Sequence, residues 1–418
     1  MRRRSRREDQ PVRDPLLFSV CALGVSQITA WGTSYYCLGV LAGPIVADTG
    51  WRRSLVYFGF TLALLAMGAV STWAGRAIDR YGARTVMTGG TVLVSTGLAA
   101  LAWVPGEATY LVIWVFLGIG MRLCLYDAAF AALVQIVPSR GRLAISYLTL
   151  FGAFASTVFW IVGHFLNEAV GWRQTLLLFA AINLAVCLPL NWLSLARRES
   201  AHASEEHTQA MAASDGAPLE GRSRVVAMVL FALVMSLNAF IFGVMTIQLV
   251  PLLEATGLAA AAAVWVASMK GVAQFGGRVV EILCGRKLRA MTIARIAIGV
   301  LAVAFVVLFA AQANLMAILA FTLLMGASQG VVTIVRGALP LALFGAERYG
   351  TVLGILATPI LIVNAASPTL FAMIVERWGW QVAQLVLIVV SAVGWIAIEL
   401  MSGWYERRRK RGYQPLDD

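Results

Sequence analysis

Long apolar runs dominate this sequence and constrain its fold more than any other feature. Of its 418 residues, 60% are hydrophobic and only 13% are charged, whereas a soluble domain is usually about a quarter charged. A membrane-spanning helix needs about 20 apolar residues. Apolar runs lie at 15–47, 54–74, 85–104, 109–134, 143–166, 174–196, 225–250, 261–283, 290–310, 315–343, 350–375 and 379–402. The sequence therefore predicts an all-α polytopic membrane protein with twelve transmembrane helices, numbered here in that order.

The placement of positive charge predicts the orientation of these helices. The net charge is +12, and most of the 33 Lys and Arg fall in the two tails and in the loops after even-numbered helices. Such basic loops stay on the cytoplasmic side. We therefore expect an integral protein of the inner (plasma) membrane with both termini cytoplasmic and no nucleic-acid partner. The first run is too long for the core of a signal peptide, so we expect it to remain as helix 1.

The chain divides into two six-helix halves joined by a polar linker. Gly171-Trp172 and Gly379-Trp380 occupy equivalent places in the two halves, which indicates an internal repeat. The basic tail around Arg407–Arg411 can contact anionic membrane lipid or act only as a topology signal. The predicted segments are a cytoplasmic N-terminal tail 1–14, a first half 15–196, a cytoplasmic linker 197–224, a second half 225–402 and a cytoplasmic C-terminal tail 403–418.

Cysteine and histidine usage gives no sign of a metal or cofactor. The five cysteines are scattered through apolar runs, as free thiols would be, and two of the three histidines, His202 and His207, lie in the polar linker. The sequence also lacks a nucleotide-binding loop. We therefore predict no metal, no cofactor and no enzymatic activity. A membrane sensor stays an alternative, although the linker leaves little room for an added domain.

One loop motif identifies a family resemblance. The stretch Gly75–Arg84 reads GRAIDRYGAR between helices 2 and 3. Gly75 allows a close helix approach, and Gly82 suits a tight turn. Asp79 can accept hydrogen bonds from a helix N-terminus or from nearby arginines, and Arg80 and Arg84 hold the loop in the cytoplasm. This pattern resembles the loop between helices 2 and 3 of the major facilitator superfamily of secondary transporters.

A less complete second copy of the motif lies at the end of helix 8. It reads GRVVE, in which Gly277, Arg278 and Glu281 correspond to Gly75, Arg76 and Asp79. The resemblance implies two pseudo-symmetric halves with a substrate site between them near the membrane midplane. It also implies alternating access by rocking of one half against the other, with the motif residues serving conformational change.

Two further stretches resemble one branch of that superfamily. Arg140–Ser146, RGRLAIS, and Gly50–Ser54, GWRRS, are similar to the corresponding stretches of monocarboxylate porters and oxalate/formate exchangers. Helix 1 carries no acidic residue and helix 5 no proline, which departs from the pattern of many drug exporters. The branch implies a small carboxylate as substrate and a cation on helix 8 that binds it.

Ionisable residues inside predicted helices are the candidate binding groups, because each is costly in a bilayer. Arg122, Lys270 and Arg336 favour an anionic substrate. Arg122 could instead serve a structural pair, a buried Lys270 could lose its charge, and Arg336 could snorkel or hold a gate with Glu281 or Glu347. Tyr126 shares a helix face with Arg122. Asp127 points about 140° away on a continuous helix, so we expect no pair between it and Arg122. Candidates for proton coupling are Asp127 and His164, for which structural hydrogen bonding is the alternative.

Aromatic and amide residues complete the predicted cavity. Aromatic side chains near the centre of helix 1 suit a cavity wall, and a few polar groups would direct the ligand. The remaining candidates for substrate binding are Trp31, Tyr35, Tyr36, Asn238, Gln274 and Asn364. We predict a monomeric secondary active transporter of a small organic anion, coupled to protons or to a counter-anion. A same-fold transporter of neutral or drug-like compounds is the alternative.

Overall fold

The computed structural model describes residues 15–195, 218–312 and 314–410. These ranges are helical apart from short connections, and they contain no β-strand. The predicted N-terminal tail, most of the linker with His202 and His207, and the last residues of the C-terminal tail lie outside the described residues. The predicted boundaries of those segments therefore stay predictions.

Six helices form the first half of the bundle. Helix 1 is built from Pro15–Ala30, a π-helical turn Trp31–Tyr35 and Leu38–Thr49; helix 2 is Arg53–Tyr81; helix 3 is Ala83–Ala102; helix 4 has two parts, Glu107–Cys124 and Tyr126–Ile136. A short turn Pro138–Arg140 leads to helix 5, which begins with Gly141–Gly152 and continues into Ala155–Ile182. Helix 6 ends with Asn183–Cys187 and Leu188–Ser194.

Six more helices form the second half. Helix 7 is Gly221–Ile247, followed by a short helix Leu249–Ala255; helix 8 is Ala260–Cys284, followed by the turn Gly285–Lys287; helix 9 is Ala290–Ala311; helix 10 is Leu315–Phe344; helices 11 and 12 lie within Tyr349–Lys410. Gly379 separates helix 11 from helix 12 as Gly171 separates helix 5 from helix 6, each with φ 80°. The repeat predicted from the Gly-Trp pairs is confirmed.

The described ranges contain nine helical stretches that are long and apolar enough to cross a membrane. Two of them, Pro138–Ser194 and Tyr349–Arg409, each contain two crossings separated by the glycine kinks. Helix 8 is less apolar because it carries Lys270 and the GRVVE motif, yet it packs inside the bundle like its counterpart, helix 2. The twelve-helix prediction is therefore confirmed.

Glycines set the closest helix contacts in both halves. A Cβ added to Gly118 of helix 4 would lie 2.3 Å from the Ala63 carbonyl oxygen of helix 2. In the second half, a Cβ added to Gly326 of helix 10 would lie 2.7 Å from the Lys270 carbonyl oxygen of helix 8. Small residues that let backbones meet are typical of helix packing in membranes, where lipid is as apolar as the side chains.

Helix 4 is interrupted in its middle by Leu125. This residue is extended, with φ −83° and ψ −166°, so the helix ends at Cys124 and starts again at Tyr126. Such a break frees backbone groups that must be satisfied inside a membrane. The buried Gln27 side chain of helix 1 donates a hydrogen bond of 2.8 Å to the Cys124 carbonyl, which satisfies one of them.

Two of the four apolar cores contain residues of both halves. One combines helices 1 to 5 with the ends of helices 10 and 11, including Ala338 and Tyr349. The other consists mainly of residues of the first half and also contains Ala357 and Leu361 of helix 11. The end of the bundle that carries the Gly75–Arg84 loop is called the basic end below. At that end the two halves are packed together through a shared apolar core.

A buried polar chain ties helices 1, 3 and 6 together. Ser26 donates to the Asn191 amide oxygen at 2.8 Å, and the Asn191 amide nitrogen donates to the Thr91 hydroxyl at 3.0 Å. All three side chains are buried. Because these groups are shielded from water, each bond contributes to the stability of the first half.

We expect Asn191→Ala to lower the free energy of unfolding by about 1–3 kcal/mol, because the buried Ser26 hydroxyl loses its acceptor and the Thr91 hydroxyl loses a donor. The midpoint of thermal unfolding in detergent measures the effect. Thr96→Ala is the matched control, since that exposed hydroxyl bonds only within helix 3. Equal midpoints for the two variants would show that the chain of hydrogen bonds contributes nothing.

Candidate functional site between the two halves

Asp79 connects the two halves at the basic end. Its carboxylate accepts hydrogen bonds from the backbone N–H of Gly350 at 3.0 Å, the N–H of Thr351 at 2.7 Å and the Thr351 hydroxyl at 2.6 Å. These donors belong to the first turn of helix 11, where N–H groups have no partner within the helix. The predicted bonding of Asp79 to a helix N-terminus is therefore confirmed, and the helix belongs to the other half.

Gly75 makes this contact possible. A Cβ at position 75 would lie 2.1 Å from the Gly350 carbonyl oxygen, so only glycine lets helices 2 and 11 approach this closely. Gly82 ends helix 2 with φ 83° and ψ 146°, a backbone conformation that other residues rarely adopt. The close approach and the turn predicted for these two glycines are both confirmed.

The arginines of the loop contact aromatic rings. Arg84 stacks over the Trp192 ring at 3.7 Å, and Arg80 lies 5.2 Å from the ring of Tyr81. Gln135, at the end of helix 4, accepts from the Ala83 N–H at 3.1 Å and donates to the Ile78 carbonyl at 3.2 Å. Gln135 thus holds the turn between helices 2 and 3, a role that a single polar residue in an apolar run did not reveal.

The second copy of the motif connects the halves through different bonds. Arg278 of helix 8 donates to the Thr149 carbonyl of helix 5 at 2.5 Å and to the Gly330 carbonyl of helix 10 at 3.4 Å. A Cβ added to Gly277 would lie 2.4 Å from the Ala327 carbonyl oxygen. This copy therefore joins helix 8 to helices 5 and 10.

Arg142, within the RGRLAIS stretch of helix 5, completes this second connection. Its guanidinium donates to the carbonyls of Gly285 at 2.9 Å and Leu288 at 2.8 Å, and lies 3.6 Å from Glu281. A positive charge at the C-terminal end of helix 8 is favoured by the helix dipole. Glu281 thus bonds to an arginine of the other half, whereas Asp79 bonds to a helix N-terminus.

Arg122, Asp127 and Arg336 form an ionic cluster near the middle of the bundle. Arg122 Nη1 bonds to Asp127 Oδ2, and Arg336 Nη2 of helix 10 lies 2.7 Å from the same oxygen. The expectation that Arg122 and Asp127 do not pair was wrong. It assumed a continuous helix, whereas the extended Leu125 turns Asp127 back toward Arg122.

The cluster is buried and carries unsatisfied groups. The side chains of Arg122 and Asp127 are 4% and 6% exposed. Arg122 Nε, Asp127 Oδ1 and the Tyr126 hydroxyl have no hydrogen-bond partner among the described residues. Two guanidinium groups facing one carboxylate leave one positive charge in excess. Arg122 Nε therefore lacks an acceptor and Asp127 Oδ1 lacks a donor, so the centre has one unused donor and one unused acceptor.

Aromatic side chains of helix 1 lie against this cluster. The Trp31 ring centroid is 4.9 Å from that of Tyr126 and 4.7 Å from that of Tyr35, and Tyr36 lies 5.2 Å from Tyr35. Trp31 also donates to Gln27 at 3.2 Å, so the residue that satisfies the helix 4 break also orients this ring. These rings, called the aromatic wall below, lie together beside the cluster, and their role in lining a substrate cavity stays a prediction.

Gly152 of helix 5 makes room for Tyr126. A Cβ at position 152 would lie 1.6 Å from the Tyr126 hydroxyl oxygen. Any larger residue would push this unpartnered hydroxyl away from helix 5 and from the aromatic wall. Sequence reasoning gives this glycine no role, because the tyrosine that needs the space lies 26 residues earlier on another helix.

Lys270 lies apart from the ionic cluster. Its ammonium donates to the Met245 carbonyl at 3.3 Å and lies 5.6 Å from the ring of Phe242, both on helix 7. No carboxylate pairs with it among the described residues. Gly326 of helix 10 packs level with Lys270, and Arg336 is ten residues further along that helix, or about 15 Å toward the basic end. Gln274, between these levels, packs its carbonyl against Gly330.

The remaining predicted site residues are Asn238, Asn364 and His164. Asn238 of helix 7 is buried with an unpartnered amide nitrogen, and the Asn364 side chain of helix 11 approaches the Tyr35 hydroxyl. His164 is exposed and pairs with Glu168 at 3.4 Å on the surface of helix 5, so it does not join the cluster. Within the described ranges, no group of His, Cys, Asp and Glu could hold a metal ion.

Two six-helix halves that enclose a buried polar centre are an architecture that secondary transporters share. The family comparison agrees. The chain belongs to the Major Facilitator Superfamily, whose family model matches residues 24–313.

Two bacterial relatives resemble this chain in sequence over part of their length. The chain is 23% identical over 172 residues to the multidrug resistance protein MdtL of Citrobacter koseri and 24% identical over 186 residues to that of Klebsiella pneumoniae. These matches span 43% and 47% of the relatives, less than half of their length. The similarity to MdtL therefore covers only part of each chain.

Similar solved structures cover nearly the whole chain. The human organic anion transporter MFSD10 (TETRAN) matches with a TM-score of 0.73 at 16% identity, over 92% of this chain and 100% of that one. The transporter FucP in the outward conformation has a TM-score of 0.70 at 14% identity, over 93% and 99%. The proton:xylose symporter XylE has 0.69 at 15%, over 93% and 96%. At these identities the likeness shows the fold alone.

We expect Asp79→Asn to weaken the closed basic end, because the helix 11 N-terminus loses its negative partner. A cysteine placed at Ala338, which is 4% exposed in the shared core, should then be alkylated several-fold faster in a cysteine-free background. Arg289→Gln changes the charge by one unit at an exposed position of the same end, outside both copies of the motif, and serves as the control. Unchanged alkylation in Asp79→Asn would contradict a role for this contact in closure.

Proposed function

We propose that this protein is a secondary active transporter of a small organic anion, a carboxylate, across the inner membrane by alternating access. The basic end faces the cytoplasm, as the distribution of Lys and Arg indicates. The proposed cytoplasmic side is then closed in this state, since the contacts of Asp79, Arg142 and Arg278 join the two halves at the basic end. The moving units are the halves 15–196 and 225–402, and one chain is the functional unit.

The single observation that carries the proposal is the excess of positive charge in the buried cluster. Arg122 belongs to one half and Arg336 to the other, and both bond to one oxygen of Asp127. A substrate carboxylate between the two guanidinium groups would accept the unused donors and bridge the halves. A sugar would not need these cations, and a cationic drug would be repelled by them.

Lys270 supports the same substrate class from a second position. It carries no paired carboxylate within the described residues, and its backbone lies about 15 Å farther from the basic end than that of Arg336. We propose that it attracts the anion on entry, before the anion reaches the cluster. The side chains of Trp31, Tyr35, Tyr36 and Tyr126 would cover the apolar part of the substrate, and Asn238, Gln274 and Asn364 would direct its polar groups.

Asp127 is the proposed coupling group. While ionised it competes with the substrate carboxylate for Arg122 and Arg336. When it takes up a proton it releases both arginines, so a proton and an anion together leave the charge of the cluster unchanged. In the exchange alternative, Asp127 stays ionised and a counter-anion takes the place of the substrate. His164 has no part in this scheme, because it is exposed and paired with Glu168.

Drug efflux is the second candidate function. It is favoured by the partial similarity to the multidrug resistance protein MdtL and by the aromatic wall of helix 1. The solved structure of MFSD10 is described as an organic anion transporter, yet its 16% identity carries no argument about substrate. The resemblance of Arg140–Ser146 and Gly50–Ser54 to monocarboxylate porters favours the carboxylate.

Uptake of a panel of labelled short carboxylates into proteoliposomes tests the proposal. We expect saturable uptake that Arg336→Gln and Arg122→Lys each reduce at least about tenfold in kcat/KM, because a charge-assisted fork is lost. Lys270→Gln should raise KM more than it lowers the maximal rate. Arg53→Gln, at the start of helix 2 outside the cluster, should behave as wild type.

Two results would overturn the carboxylate assignment. The first is that folded protein transports none of the carboxylates. The second is that carboxylate uptake by the Arg336→Gln variant equals that of the wild type. Extrusion of a lipophilic cation by the same proteoliposomes, with the arginine variants fully active, would establish the drug-efflux alternative instead.

We expect Asp127→Asn to separate transport from its driving force. Asparagine imitates the protonated acid, so substrate counterflow without a gradient should persist while accumulation driven by an inward proton gradient is lost. The measurement is the ratio of internal to external substrate at a fixed pH difference. Accumulation at the wild-type level in Asp127→Asn would exclude this residue as the coupling group.

A further inference from the structure

A separate pocket lies at the basic end of the second half, away from the ionic cluster. It has a volume of about 290 Å³ and opens between the start of helix 7, the loop after helix 10 and the start of helix 11. Its lining combines charged residues at one end with apolar residues at the other. The lining residues are Arg224, Met228, Glu347, Arg348, Thr351, Val352 and Ile355.

The charged end of the pocket is shaped by an unusual backbone. Arg348 has φ 50°, and among the described residues only Gln312 shares a positive φ without being glycine. A left-handed backbone at a long side chain is disfavoured, and such outliers often mark functional positions. Arg224 approaches from helix 7, where its guanidinium lies 5.8 Å from the ring of Phe344. Two arginines and one glutamate leave this end positive.

The other end of the pocket faces the bilayer. Met228, Val352 and Ile355 line it, and Ile355 is 41% exposed. On the neighbouring surface of helix 7, Val225 and Val229 are exposed by 59% and 63%, as lipid-facing side chains are. A ligand of this pocket must therefore present a negative group toward the loop and an apolar group toward the membrane.

We propose that this pocket binds the headgroup of an anionic phospholipid, with its phosphate between Arg224 and Arg348 and its first acyl carbons against Met228 and Ile355. A free phosphate would match only the charged end. A zwitterionic lipid would offer no net charge to the arginines. The position of the pocket, where helices 7 and 11 leave the apolar layer, fits the depth of a lipid phosphate on the basic side.

The lipid would act on the contact between the halves. Thr351 lines the pocket, and its N–H and hydroxyl also donate to Asp79. A lipid that orders the first turn of helix 11 therefore favours the closed basic end. Anionic lipid should stabilise the state described here relative to the state open at the basic end.

Lipid binding can be measured on the purified full chain by native mass spectrometry with phosphatidylglycerol and phosphatidylcholine. We expect preferential retention of phosphatidylglycerol. The double variant Arg224→Gln/Arg348→Gln should weaken it at least about tenfold, since each basic residue near a membrane surface contributes to anionic lipid binding. The matched control is Arg222→Gln/Arg289→Gln, which removes two exposed charges at the same end outside the pocket.

A second variant tests the apolar end without changing charge. Ile355→Trp should narrow the pocket and also weaken retention of phosphatidylglycerol, in protein whose thermal unfolding midpoint matches wild type. Alkylation of a cysteine at Ala338 should be slower in phosphatidylglycerol vesicles than in phosphatidylcholine vesicles for wild type, and equal for the double variant.

Three outcomes would overturn the proposal. Equal retention of both lipids by wild type would remove the preference, and retention by the double variant equal to the control would remove the site. Displacement of phosphatidylglycerol by millimolar inorganic phosphate would assign the pocket to a free anion rather than a lipid. The proposed binding of the carboxylate uses none of these residues, so failure here leaves the proposed transport function standing.

Discussion

The extended backbone at Leu125 is the constraint on which the centre of this protein depends. It turns Asp127 back toward Arg122 and places its carboxylate where Arg336 of the other half can reach it. On a continuous helix the same three residues would leave the buried Arg122 and the partly exposed Arg336 without a common partner. The break thus creates a centre that is charged, carries unsatisfied groups and is shared by both halves, and the proposed anion site depends on these three properties.

The contacts that close the basic end suit a reversible interface. Asp79 binds the N-terminus of helix 11, and Arg142 binds carbonyls at the C-terminus of helix 8. Both side chains lie near the surface, so water can replace their partners when the halves separate, and neither is left buried and unpaired. Closure therefore rests on complementary helix ends, while the apolar core shared by the halves excludes water between them.

Much of the fold could be predicted from the sequence, because twelve apolar runs and a repeated Gly-Trp pair follow directly from residue order. The Gly75–Arg84 loop also predicted the bonding of Asp79. The Arg122–Asp127 pair could not be predicted, since no proline or glycine occurs at position 125 to signal the break. Gln27, Gln135 and Arg142 were missed as well, because the partner of each lies far away along the chain.

The most direct test of the central claim is the position of a bound anion. A structure of the protein with a short brominated carboxylate, located by the anomalous signal of bromine, would provide it. We predict a carboxylate within hydrogen-bonding distance, about 3 Å, of both Arg122 and Arg336, with bromine toward the aromatic wall. A carboxylate bound elsewhere, with the Arg122–Asp127–Arg336 cluster unchanged beside it, would contradict this account.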